Sequence, residues 1–260
     1  MTDIIDISTL RLAVAYIFIL ILLFIVKINK VGHEGEIIIA SIRMTIQLVL
    51  VGYVLTYIFD NPGLIYSLLI LLIMEGFAIK NIYDRVNREL SKSMKLIIAM
   101  AMISGTMISI IYFIIAVINL KPWYQPQYFI PLSGMLIGNS MTGIALGTNG
   151  LIEGIRKNKD QIENALMLGA RPEQATRDIS NNAFYNAILP TINSMLGMGI
   201  VFLPGMMTGQ ILAGAPPLTA IKYQIAIMLG ISGSVTLTVY IMVKAGIKTF
   251  FNERAQLEIF

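Results

Sequence analysis

Three groups of residues in this chain have types and spacing suited to chemistry or recognition. The first is Glu163-Asn164-Ala165-Leu166-Met167-Leu168-Gly169-Ala170-Arg171-Pro172. A short amphipathic helix stopped by Gly and restarted by Pro predicts a surface hairpin that a second protein can grip, with Glu163, Ala165, Gly169, Ala170 and Arg171 as candidate contacts. The second is Arg43 and Glu75, ionisable side chains inside apolar runs. Such groups are costly in lipid and face a bundle interior, a cavity or each other. The third is Met206 and Met207 beside Pro204 and Gly205. Thioethers favour soft cations such as Cu(I), whereas iron(II) favours carboxylate or imidazole. Met is also a common packing residue, so most of the 16 methionines are expected in the core. The single histidine, His33, lies in a loop flanked by Glu34 and Glu36, where a solvated turn competes with a cation-entry site. No group of residues has the spacing of a tight metal cage.

Several chemistries are excluded. No Gly-x-x-x-x-Gly-Lys-Ser/Thr occurs, so this chain does not bind ATP through a P-loop. Any ATP and magnesium used with it belong to another polypeptide, and no cofactor is expected on this one. No His-Glu-x-x-His, membrane-embedded histidine or paired membrane aspartates occur, which argues against an intramembrane protease. With no cysteine, disulfides and thiolate metal sites are excluded as well.

The elements that must position these residues follow from composition. Mean hydropathy is +0.76, and 56% of residues are hydrophobic while only 13% are charged, against about 25% charged in a soluble domain. The solvent for most of the chain is lipid, and the net charge of +4 therefore does not imply nucleic acid. Apolar runs recur to the end, so none reads as a cleaved signal peptide. A spanning helix needs about 20 apolar residues, and the sequence predicts an all-α polytopic bundle of seven helices, near 9–27, 37–59, 64–79, 96–118, 129–149, 183–213 and 219–244. Asn61-Pro62-Gly63 is the turn between the second and third. Trp123, Tyr124 and Tyr128 are expected interface anchors.

With the N-terminus outside, 15 of the 19 Lys and Arg residues, Arg88 among them, fall in inside segments, and only Arg11, Lys121 and Lys222 fall outside. The positive-inside rule therefore predicts N-out, C-in. The alternative is six spans with a re-entrant third segment. Arg43 and Glu75 would lie at similar depths in the second and third helices, and are expected to pair or to meet polar groups near the cytoplasmic mouth; the competing reading is that both snorkel to the interface.

The chain reads as one transmembrane domain, 1–260, with a cytoplasmic loop at about 151–182. Within that loop the order Glu163-x-Ala165-x-x-x-Gly169 resembles the coupling motif of ABC-importer permeases, which inserts a helix into a cleft on the ATPase. Leu189-Pro190 comes about two turns later than in that pattern, so the match is partial. An ordinary surface hairpin remains the other reading.

The sixth predicted helix carries Leu203-Pro204-Gly205-Met206-Met207-Thr208-Gly209-Gln210-Ile211-Leu212-Ala213-Gly214. Pro204 removes an intrahelical hydrogen bond, which is tolerated at membrane depth where the backbone is buried or lines a cavity. Gly205-x-x-x-Gly209, and in the fifth helix Gly134-x-x-x-Gly138 and Gly143-x-x-x-Gly147, permit close helix contact. Asn139, Ser140 and Thr142 lie between the latter two, and the fifth and sixth helices are expected to pack together.

The run from Leu203 to Gly214, the following Ala220-Ile221-Lys222-Tyr223-Gln224-Ile225, the early Gln47-Leu48 with Gly52-Tyr53-Val54-Leu55, and Gly134 with Gly138-Asn139 together resemble the FetB-type permeases over nearly the whole chain. The resemblance implies the membrane subunit of a bacterial ABC exporter linked to iron homeostasis. It would partner a separate FetA-type ATPase as a homodimer in the bacterial inner membrane. A plant relative in aluminium tolerance has been tied to a nucleotide-sugar, so the cargo is implied only loosely. The expected pathway residues are Arg43, Glu75, Asn139, Pro204, Gly205, Met206, Met207 and Gln210. The competing class is a secondary transporter or channel without an ATPase. Secondary transporters often carry inverted repeats, and no convincing repeat occurs here.

Overall fold

A computed structural model describes residues 7–86 and 90–258. Arg88 lies outside the described residues. The helices are α1 (Thr9–Ala15), α2 (Ile17–Ile28), α3 (Glu34–Asp60), α4 (Leu64–Arg85), α5 (Lys92–Tyr112, continued as one π-helical stretch, Phe113–Ile118), α6 (Pro126–Lys157), α7 (Lys159–Met167), α8 (Pro172–Ala175), α9 (Arg177–Gly197), α10 (Gly205–Leu212) and α11 (Pro217–Gly246). The protein is a polytopic helical membrane protein. Among the described residues, six stretches are long and apolar enough to cross a bilayer: Thr9–Ile28, Glu34–Asp60, Leu64–Arg85, Lys92–Ile118, Pro126–Lys157 and Pro217–Phe250.

Two compact units divide the chain. In the first, residues 1–62 with 212–214, α1 and α2 form one apolar rod interrupted at Tyr16, and α2 packs on α3. The Tyr16 hydroxyl and Thr45 Oγ1 share a hydrogen bond, and Thr45 also donates to the Ser41 carbonyl at 2.9 Å.

The second unit holds α4 to α9 and α11, with most of α10. Its centre is α6, which packs against α4, α5, α9 and α11. Lipid tails are as apolar as leucine, so the helices gain little from hiding apolar area and must instead fit closely. Gly143 and Gly147 show how. A Cβ on Gly143 would lie 2.8 Å from Val235 Cγ1, and one on Gly147 would lie 2.8 Å from Met242 Cε and 3.3 Å from Ala187 Cβ. Missing side chains thus let α6 approach both α11 and α9. Buried hydroxyls add internal hydrogen bonds: Ser140 to Ser234 at 2.9 Å, and Thr238 to the Ser234 carbonyl at 2.8 Å.

Three expectations change. The third predicted helix, read as short, runs 22 residues to Arg85; Lys80, Asn81 and Asp84 end the apolar run without ending the backbone ladder, which removes the ground for a re-entrant third segment. The sixth predicted helix is not continuous. It begins earlier as α9, ends at Gly197, and resumes as α10 only after residues 198–204, with Gly199 in the left-handed region at φ +85°. α9 has 21 residues, but Ser180, Asn181, Asn182, Asn186 and Asn193 make it too polar to stand with the six apolar spans. Finally, Gly205-x-x-x-Gly209 mediates no close crossing among the described residues, since a Cβ at either glycine meets nothing within 4 Å. The fifth and sixth predicted helices do pack together, through α6 and the α9 part of the sixth.

Candidate functional site

Glu163, Ala165, Gly169, Ala170 and Arg171 come together as one preformed hairpin between α6 and α9. α7 ends in a Schellman cap. The Ala170 N–H donates to the Ala165 carbonyl at 3.0 Å and the Gly169 N–H to the Leu166 carbonyl at 3.0 Å. Gly169 takes φ +90°, which a side chain rarely tolerates. α8 then starts on Pro172, and the Arg171 backbone N–H donates to Gln174 Oε1 at 3.0 Å. Ile162 and Thr176 anchor the hairpin inward at 1% and 0% exposure, and Thr176 Oγ1 donates to the Pro172 carbonyl at 2.7 Å. Glu163 meets Lys159 across one turn at 3.7 Å, a half-exposed pair worth only a few tenths of a kcal/mol.

Met167 and Leu168 are the residues that sequence reasoning missed. They stand 83% and 89% exposed at the tip of α7, so the rigid turn projects two adjacent apolar side chains. A signal was present, because both fall between Ala165 and Gly169, opposite the face on which Ile162 is buried.

Glu75 lies at the heart of the second unit, 4% exposed on α4. Thr106 Oγ1 of α5 donates to its Oε1, and Thr106 also donates to the Met102 carbonyl at 2.7 Å. Glu75 Oε2 is buried with no hydrogen-bond partner among the described residues. An intramembrane carboxyl so placed can hold a proton or accept a polar cargo. Arg43 lies on α3 in the first unit, exposed. Asn139 is exposed on α6, and its side-chain amide donates to the Met135 carbonyl of its own helix at 2.7 Å.

The break between α9 and α10 opens a cavity of about 490 Å³, lined by Met195, Met198, Met207, Gln224 and Met228 among others. Of the predicted pathway residues, Met207 lines it, at 8% exposure. Pro204 precedes α10 and accepts the Thr208 N–H at its carbonyl at 2.9 Å. Gly205 begins α10, Met206 is half-buried, and Gln210 Oε1 is buried without a hydrogen-bond partner among the described residues. Gln224, 7% exposed, donates from Nε2 to Met198 Sδ at 3.7 Å. Met195, Met198 and Met228 gave no sequence signal, because they reach the cavity from separate elements.

Outside the helices' apolar spans, His33 Nδ1 lies 3.0 Å from Glu36 Oε1. That hydrogen bond, with the carboxylate's charge, holds the imidazole above the ordinary histidine pKa. No cluster of three or more His, Cys, Asp or Glu side chains suited to a metal occurs among the described residues.

The Uncharacterised protein family (UPF0014) matches residues 9–251. The UPF0014 membrane protein YjkA of Bacillus subtilis (strain 168) is 35% identical over 253 residues, covering 96% of this chain and 98% of YjkA. The protein named "Probable iron export permease protein FetB" in Escherichia coli (strain K12) is 31% identical over 254 residues, 98% of this chain and 96% of FetB. Protein ALUMINUM SENSITIVE 3 of Arabidopsis thaliana is 32% identical over 249 residues, 95% of this chain and 88% of the plant protein. No solved structure matches the chain.

Proposed function

The chain belongs to the UPF0014 family, and on that footing we propose that it is the membrane-spanning subunit of an ABC transporter exporting iron or another metal ion. A separate ATP-binding subunit drives it. The name of the E. coli relative supports a permease and an iron cargo. The observation that carries the ATPase partnership is the α7–α8 hairpin, with its Schellman cap and the exposed Met167–Leu168 tip. A bare apolar tip on a rigid, charged-flanked turn is what a cleft on a soluble motor can bury.

In this reading the N-terminus is outside, the hairpin is cytoplasmic, and the membrane is the bacterial inner membrane. Two copies enclose a pathway on their common axis, and motion of the ATPases reaches it through Glu163, Ala165, Gly169, Ala170 and Arg171. α6 and α9 flank the hairpin in sequence and pack on each other, so a push on α7 acts on both. Glu75 Oε2 and Gln210 Oε1, which have no hydrogen-bond partner among the described residues, belong in this reading to the pathway with Asn139, Pro204, Gly205, Met206 and Met207.

The test is ATPase activity of this chain co-purified with its ATPase in lipid nanodiscs, titrated with iron(II), other metals and UDP-glucose. Gly169→Arg and Glu163→Lys should each lower stimulated activity by about tenfold or more, corresponding to at least about 1.4 kcal/mol of lost coupling, while the chain stays folded. If both variants bind and stimulate the ATPase like the wild type, the coupling role is wrong. Failure to co-purify with any ATPase moves the protein to the secondary-transporter or channel class.

A further inference from the structure

We propose that the cavity at the α9–α10 break is a binding site for a soft monovalent cation, Cu(I) or Ag(I), held by the thioethers of Met195, Met198, Met207 and Met228. Four of its ten lining residues are methionine, whereas the whole chain has 16 in 260. Packing alone gives no reason for this concentration at the α9–α10 break. The four come from three elements and the break: Met195 from the end of α9, Met198 from the break, Met207 from α10 and Met228 from α11. Met207 and Met228 are each 8% exposed, so packing limits their movement.

Donor chemistry selects the ligand. Thioethers bind d10 monovalent ions well, and bind iron(II), magnesium or calcium poorly. No carboxylate, imidazole or ammonium lines the cavity, so a hard cation finds no charged ligand there, and a monovalent ion leaves the smallest uncompensated charge. Gln224 supplies the supporting contact. Its buried Nε2 donates to Met198 Sδ at 3.7 Å, which occupies one sulfur lone pair and fixes the thioether's direction, leaving the other available. Because thioethers are neutral, the ion is held without a carboxylate cage, and movement of α10 against α11 would separate the donors and release it.

As a statement of cargo class this rests on the transporter reading above; as a statement of binding it does not. The experiment is calorimetric titration of the full chain in detergent with silver nitrate in chloride-free buffer, repeated with Cu(I) against a chromogenic chelator. One tight Ag(I) per chain is expected. The near-isosteric Met207→Leu and Met228→Leu changes should each weaken it at least tenfold. Met100→Leu, at a 51% exposed position on α5, should leave silver binding unchanged, and excess iron(II) should not compete. Met195→Leu, at 37% exposure, provides a variant whose folding is not in question and should also weaken binding. Unchanged affinity in Met195→Leu and Met207→Leu, or displacement of silver by iron(II), overturns the site, and the cavity is then a packing defect or a lipid-tail pocket. Silver binding that persists while the chain co-purifies with no ATPase would sink the transporter reading and not this one.

Discussion

α6 and the α9–α10 segment are written in similar residues and fold differently. Both carry an internal proline and Gly-x-x-x-Gly spacing. α6 nevertheless runs 32 residues through Pro131 without a break, whereas the other segment passes through Pro190 and then opens at residues 198–204. The difference lies in what surrounds them. α6 packs against four helices, and at Gly143 and Gly147 the space of a side chain is filled by Val235, Met242 and Ala187. Any departure from helix there would lose those contacts and strand backbone groups in an apolar medium. Gly205 and Gly209 face open space, and Gly199 and Pro204 supply the turn. A breaker residue therefore breaks a membrane helix only where neighbouring helices do not enforce it.

Substitution can break that comparison. The largest effect is expected at Gly147→Leu, where added atoms meet Met242 and Ala187. Overpacking costs about 1–3 kcal/mol or more, and the purified protein should lose its cooperative thermal transition or show it several degrees lower. Gly209→Leu should leave that transition in place; equal damage from the two would mean that the α10 motif is packed after all. A middle effect is expected at the Ser140–Ser234 pair. A double-mutant cycle with alanine should give about 0.6 kcal/mol of coupling, the usual size for such bonds in membranes, and a value near zero would mean that this pair adds nothing to the close packing of α6 on α11. The smallest belongs to a place with no packing at all, His33 and Glu36. A raised histidine pKa stabilises the protonated form, so this contribution is present below about pH 6.5 and fades as pH rises through the raised value of the folded state. The lone imidazole resonance should titrate above that point, and Glu36→Gln should bring it down; an unmoved midpoint would discard the pair.

Much of the architecture was readable because hydropathy and helix periodicity report the same spans. Boundaries were less so. The apolar run after Leu64 stops near Ile79, but α4 continues to Arg85, because hydropathy marks where lipid ends and not where hydrogen bonds end. For the same reason α6 continues through Glu153 and Arg156 to Lys157. The hairpin was legible down to Gly169 and Pro172, since stop and start signals are local. Glu75 and Thr106 are 31 residues apart, and Met195 and Met228 share a cavity across a helix break. Neither pairing leaves a local trace, because each depends on how helices rotate about their axes once packed.

The Schellman cap of α7 also has a kinetic consequence. Its last carbonyls are already satisfied by Gly169 and Ala170, and Pro172 restricts the chain that follows. A partner that docks here as proposed would meet a turn whose shape is already set by these bonds. No local folding step precedes docking, so assembly should proceed at the rate of oriented collision, about 10⁵–10⁷ M⁻¹s⁻¹, and cap-weakening substitutions such as Gly169→Ala should slow association before they hasten release.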